Sequence, residues 1–147
     1  MAIWAEDTRR FLDAHRIGHL ATTGPDGAPH VMPVCYALDD EALYFVADAK
    51  PKRRPARQLT RLRNVRATGL AAIVVDDYDE DWTRLAWVLV RGTATIVDDP
   101  ALHARSLALL RARYPQYRAM ALDDPVAHPI VRIVPLSVRR WSASPGS

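Results

Sequence analysis

Eight cationic side chains fall between residues 49 and 75 with no acid among them: Lys50, Lys52, Arg53, Arg54, Arg57, Arg61, Arg63 and Arg66. Charge of one sign at this density meets an anion or an acidic neighbour. Guanidinium forks and ammonium groups suit phosphate oxygens in particular. The densest part, Lys50 to Arg57, leaves a strand-like run and enters a helix-like one, so the free N–H groups of a helix start would point at the same anion. A merely solvated charged loop is the bland alternative, and nucleic acid a further one. Against nucleic acid, no aromatic residues alternate with these cations to stack bases, and no helix-turn-helix pattern appears.

Other chemistries find less support. Cys35 is a lone cysteine among apolar residues, which reads as a structural thiol rather than a nucleophile. The histidines, His15, His19, His30, His103 and His128, form no HExxH spacing, so no metal site is expected. There is no Gly-x-Ser-x-Gly elbow, no P-loop and no Gly-x-Gly-x-x-Gly. The acidic run Asp76 to Asp81 lacks the glycine of a calcium-binding EF-hand loop. It reads as a solvated loop, paired to the arginine-rich surface if to anything. No side chain is assigned as catalytic.

The elements that would hold the cationic segment follow from periodicity. Trp4, Thr8, Phe11, Leu12 and His15 lie on one face of a helix over 4–15. His19 to Thr23 and Pro29 to Leu38 read as a hairpin about the turn Gly24-Pro25-Asp26-Gly27. Pro33 marks the second strand as an edge, a bulge or a ligand-facing stretch, because it has no N–H for a ladder. Ala42 to Ala47 is a third strand. A helix over 56–67 turns Leu59, Leu62 and Val65 or Arg66 inward and stops at Thr68-Gly69. Leu70 to Val75 and Leu85 to Val97 are strands, the longer bent at Gly92. Asp98 or Asp99 caps a helix that begins at Pro100 and stops at Pro115. Pro129 to Trp141 is the last strand. The order α-β-β-β-α-β-β-α-β predicts a mainly β, α+β fold: a six-stranded antiparallel barrel with flanking helices.

With 147 residues the chain suits one domain, taken as 1–141 with 142–147 a disordered tail. No apolar run nears the roughly 18 residues of a membrane span. The N-terminal residues carry acids instead of the apolar stretch of a signal peptide. A single cysteine leaves no intrachain disulfide. These features predict a cytoplasmic protein.

Two runs carry a likeness to a known family. RIGHLATTGPDGAPHVMPVCYALDDEALYFVADAKPKR resembles the opening of the pyridoxamine-phosphate-oxidase-like flavin and deazaflavin oxidoreductases, and LRNVRATGLAAIVVDDYDEDWTRLAWVLVRGTATIV continues the match. Within that family the chain looks most like an F420-dependent subgroup, over about residues 7 to 141. The resemblance implies a split β-barrel of the FMN-binding type, forming a homodimer with two cofactor sites at the subunit interface. It implies that His30, Val31, Met32, Pro33 and Val34 run along the cofactor ring, chiefly through backbone groups. Lys50, Lys52 and Arg53 would bind its phosphate, with Arg57 adding a contact, and Trp82 or Trp87 of a second subunit would complete the ring pocket.

The pattern departs from the pyridoxamine phosphate oxidases themselves. Their arginine-and-lysine pair on the second strand is replaced by the neutral Met32-Pro33-Val34-Cys35-Tyr36. That argues against pyridoxamine phosphate as substrate, and the long cationic run suits the extended anion of F420 better than FMN. The expected activity is hydride transfer from reduced F420 to a small unsaturated or quinone-like acceptor, with the proton from solvent, Tyr36, Tyr78 or His30. The alternatives are an FMN-binding oxidoreductase of the same fold, a haem-binding relative, and a protein that carries F420 or a flavin without turnover.

Overall fold

Apolar residues alternate along 18–23 and 70–75 and recur at helical spacing along 4–15. The computed structural model, which describes residues 2–48, 55 and 59–144, gives each run the element its period dictates. In chain order these are α1 (Glu6–Ala14), β1 (Gly18–Thr23), β2 (Pro29–Val34), β3 (Ala37–Leu38), β4 (Leu43–Val46), α2 (Thr60–Thr68), β5 (Leu70–Asp77), β6 (Ala86–Ile96), α3 (Pro100–Arg113) and β7 (Ile130–Ser142). Short 3-10 turns lie at Trp82–Arg84 and Pro115–Ala119. The strands form one antiparallel sheet in the order β2-β1-β5-β6-β7-β4-β3.

The two edge strands, β2 and β3, are separated in sequence by Cys35 and Tyr36 alone. So short a link spans roughly 10 Å at most. The sheet must therefore curl until its edges approach, which makes it a half-barrel. Inward side chains fill it: Leu20, Phe45, Ile73, Val88, Val90 and Ile133 belong to one buried cluster, with Trp4 and Leu12 from the α1 region packed into it. The opposite face of β3 and β4 carries a second cluster, where Tyr44 and Val46 meet Leu107, Leu110 and Tyr114 at α3.

The sheet has seven strands instead of the six expected from the sequence, because residues 29–38 do not form one strand. The Tyr36 N–H donates to the Tyr114 hydroxyl at 3.0 Å, and the Tyr36 carbonyl accepts from Arg113 Nε at 2.9 Å. These side chains take the backbone groups that a ladder would have used, and the strand breaks there. The Tyr36 hydroxyl, in turn, donates to the Leu12 carbonyl at 2.6 Å. Tyr114→Phe strands the buried Tyr36 N–H, so it is expected to cost about 2 kcal/mol. Urea denaturation read by tryptophan fluorescence checks this; an unchanged midpoint would assign the break to another cause.

Helix α2 follows its sequence pattern. Leu59, Leu62 and Val65 are buried, and the helix stops at Gly69, whose φ of 67° is left-handed and whose N–H bonds the Val65 carbonyl. Pro100 opens α3, and the Asp99 side chain accepts from the Ala101 N–H. Residues 142–144, expected in a disordered tail, are tied down: β7 runs to Ser142, Ala143 N–H bonds the Leu85 carbonyl, and Ser144 Oγ bonds the Thr83 carbonyl at 2.6 Å. No described helix is long and apolar enough to cross a membrane.

Candidate functional site

The sheet edge formed by β2 is the natural start of a binding site, because one side of its backbone has no strand partner. Its pairing with β1 sets Leu20 against Met32, Ala21 against Val31 and His19 against Pro33. Val31, Met32 and Pro33 are exposed, His30 is half-buried and Val34 is buried. Pro33, lacking an N–H, sits on an edge as its chemistry requires. The ring nitrogen Nδ1 of His30 is buried and has no hydrogen-bond partner among the described residues.

His30 opens into a groove of about 630 Å³ between the β1–β2 turn and α2, which it lines together with Thr60, Arg63 and Asn64. Asn64 is held by its amide, which donates to Thr22 Oγ at 3.1 Å. The structure thus brings the start of β2 and the first turns of α2 to one place. That helix start carries no acid in its first turn and no side-chain cap. Its N–H groups and dipole therefore remain available to an anion.

Arg61, in the first turn of α2, is a candidate that the sequence reading counted among the cations but did not single out. It is 8% exposed, and its Nε has no hydrogen-bond partner among the described residues. Burial pulls its pKa below the ordinary guanidinium value, against the opposing pull of Asp48 and Tyr117. Asp48 and Arg61 thus bracket the cationic segment in sequence. Tyr117 is itself buried, which raises its pKa, with Cys35 and Asp48 adding to the effect. A cation desolvated to this degree without full hydrogen bonding is the expected state of a residue whose remaining partner is a ligand. A signal did exist: Arg61 is three and four residues from Asn64 and Val65, on the helix stripe that is buried. Lys50, Lys52, Arg53 and Arg57 lie outside the described residues.

The remaining candidates are scattered within one chain. Trp82 is 66% exposed on the 3-10 turn, and Trp87 stacks on Trp141 with ring centres 6.3 Å apart. Neither lines the groove that His30 lines. Of the three proton donors considered, Tyr36 is removed by the structure: it is fully buried, its hydroxyl is committed to Leu12, and burial drives its pKa far up. Tyr78 is exposed on the acidic loop. That loop is not paired to the arginine-rich stretch among the described residues. Asp79 and Asp81 face Arg84 at 3.9 and 3.7 Å, Asp77 holds His15 Nε2 at 2.5 Å, and Asp76 lies 3.9 Å from His19. His15 and His19 stand four residues apart, a spacing that chelates metal on a helix, but α1 has ended between them and each meets a different aspartate. Among the described residues no group of three or more His, Cys, Asp or Glu could hold a metal.

A family profile described as pyridoxamine 5'-phosphate oxidase matches residues 5–144. No curated protein matches the chain. Among solved structures, the conserved hypothetical protein Rv2991 of Mycobacterium tuberculosis is 25% identical, with a TM-score of 0.76 over 97% of this chain and 87% of that one. A protein described as an F420 reductase is 27% identical, with a TM-score of 0.67 over 92% of this chain and 98% of that one. A haem-binding protein from Mycobacterium smegmatis is 19% identical, with a TM-score of 0.74 over 95% of this chain and 53% of that one; this is a likeness of fold alone.

Proposed function

This chain belongs to the pyridoxamine 5'-phosphate oxidase family, and from that premise we propose that it is an oxidoreductase drawing hydride from reduced coenzyme F420 for a small unsaturated or quinone-like acceptor. The observation that carries the reading is Arg61, a buried guanidinium with an unpartnered Nε in the uncapped first turn of α2. It adjoins a segment whose sequence supplies further cations and no acid. This donor set fits a phosphorylated cofactor. Similarity to an F420 reductase over nearly the whole of both chains supports the choice of cofactor. So does the neutral Met32-Pro33-Val34 on β2, which lacks the cations of a tight FMN phosphate site.

In this reading Arg61, with Lys50, Lys52, Arg53 and Arg57, holds the anionic part of the cofactor. His30, Val31, Met32, Pro33 and Val34 hold its ring. When bound, the deazaflavin supplies a two-electron hydride carrier, which no amino-acid side chain can. A second copy of the chain covers β2 and its exposed Val31 and brings Trp82 or Trp87 to the ring, so the working form is a homodimer. Apolar walls then exclude water from the reacting atoms. His30, half-buried with a free ring nitrogen, is the side chain placed to pass a proton to the product.

Fluorescence titration of the purified protein with F420, and separately with FMN, tests the assignment at moderate salt. F420 is expected to bind in the micromolar range or tighter, and Lys50→Ala with Lys52→Ala to weaken it about tenfold or more. Preference for FMN would move the protein to the flavin enzymes of the same fold. Binding of neither would refute the cofactor assignment.

A further inference from the structure

The outer face of the sheet carries a second concavity, away from the first turn of α2. Register places Val31 of β2, Ala21 of β1, Ala72 of β5, Arg91 of β6 and Ser137 of β7 in one cross-strand row. The two alanines leave a trough between larger neighbours. It has a volume of about 370 Å³ and is walled by Pro29, Leu70 and Leu136. Strands lie about 4.8 Å apart, so the three strand steps from β2, which contributes Pro29, to β6, which contributes Arg91, span roughly 14 Å, enough for a small aromatic molecule lying across the sheet.

Arg91 is the charged group in this lining, and it has no ion-pair or hydrogen-bond partner among the described residues. Its position is built. The β6–β7 register shifts between Arg91 and Gly92: Arg91 pairs with Ser137 and Gly92 with Pro135, so Leu136 is the extra residue of a bulge. Bulges re-aim side chains at sites, and this one sets Leu136 and Arg91 on the same trough. A flat subunit contact needs no such hollow, and an apolar contact gains nothing from an unpaired guanidinium at its centre.

We propose that this trough binds the substrate, and that the substrate is a small apolar monoanion whose carboxylate is anchored by Arg91. The role as a substrate site rests on the function proposed above; the preference for an anion rests on the trough alone. Within that function the acceptor is a carbon–carbon double bond conjugated to a carboxylate. Its π bond breaks, one carbon gains hydride, the other gains a proton passed by His30, and the reduced cofactor is oxidised by two electrons to leave the saturated acid. With the carboxylate at Arg91, the double bond extends toward β2, the strand along which the cofactor ring is proposed to lie.

Calorimetric titration of the full chain with trans-cinnamate and with its neutral methyl ester reads the anion preference directly. The wild-type protein is expected to favour cinnamate about tenfold or more, the worth of a charge-assisted hydrogen bond. Arg91→Met should abolish the preference, Arg91→Lys should keep most of it, and the mass by light scattering should be unchanged in both. Absent cinnamate binding, equal affinity for acid and ester, a preference that survives Arg91→Met, or a changed mass would each overturn the proposal. Should F420 fail to bind while the Arg91-dependent preference holds, only the functional reading falls; should F420 bind while the preference is missing, only this inference falls.

Discussion

Arg61→Met is expected to weaken F420 binding ten- to hundredfold while moving the melting temperature by no more than a few degrees. The two halves of this expectation have one cause. A buried guanidinium has lost most of its hydration, and here its Nε–H finds no acceptor among the described residues in return. Exchanging such a charge for an apolar side chain of similar length removes that desolvation cost, while loss of the charge beside Asp48 works against it, so the net change in stability is small. A ligand phosphate would lose a charge-assisted hydrogen bond worth about 1.5–3 kcal/mol, which is the stated range of affinity. Arg66→Met, exposed further along the same helix and outside the groove that His30 lines, should cost about threefold or less because water screens it. A fluorescence titration and a thermal melt on both variants decide the matter. Intact binding with a melting temperature lowered by several degrees would make Arg61 a structural residue.

Much of the fold was legible because local rules and burial agree. Leu59, Leu62 and Val65 recur at helical spacing and are buried, and Gly69 stops the helix in the conformation that glycine favours. Pro33 left an edge, a bulge or a ligand-facing stretch open, of which the structure shows an edge, and Gly92 marked a bend or bulge, where the register shifts. The break at Cys35-Tyr36 was not legible. Nothing in Met32-Pro33-Val34-Cys35-Tyr36-Ala37 interrupts a strand; the cause is Tyr114, 78 residues away, taking the Tyr36 N–H. The same limit applies to Arg61. In sequence it is one of eight cations; its spacing from Asn64 and Val65 hinted at an inward stripe, and the packing of α2 establishes the burial. Trp82 and Trp87 carry the limit further, since their proposed role belongs to an assembly of two chains.

Gly92→Ala is expected to destabilise the protein by about 3 kcal/mol, at the upper end for overpacking, and to lower its melting temperature by roughly 10 °C. An added Cβ would lie 2.9 Å from Ile133 Cγ2 and only 2.4 Å from the Val134 carbonyl oxygen, which is backbone and cannot rotate away. Strand β7 would have to retreat from β6 along a ladder that runs from Ala86–Ser142 to Ile96–Val131. Gly27→Ala is the informative contrast. Its Cβ meets nothing within 4 Å, and its strain comes only from a φ of 79°. That costs about 1–2 kcal/mol. The bulge also couples stability to the trough, because the shift that makes room for a Cβ at residue 92 moves Arg91 on one strand and Leu136 on the other. Well below its melting temperature, folded Gly92→Ala protein should therefore have lost most of the wild-type preference for cinnamate over its ester, while Gly27→Ala retains it. Equal melting temperatures for the two variants would show that β6 and β7 have slack at the bulge. A destabilised Gly92→Ala that still selects the anion would separate the trough from the bulge that was argued to build it.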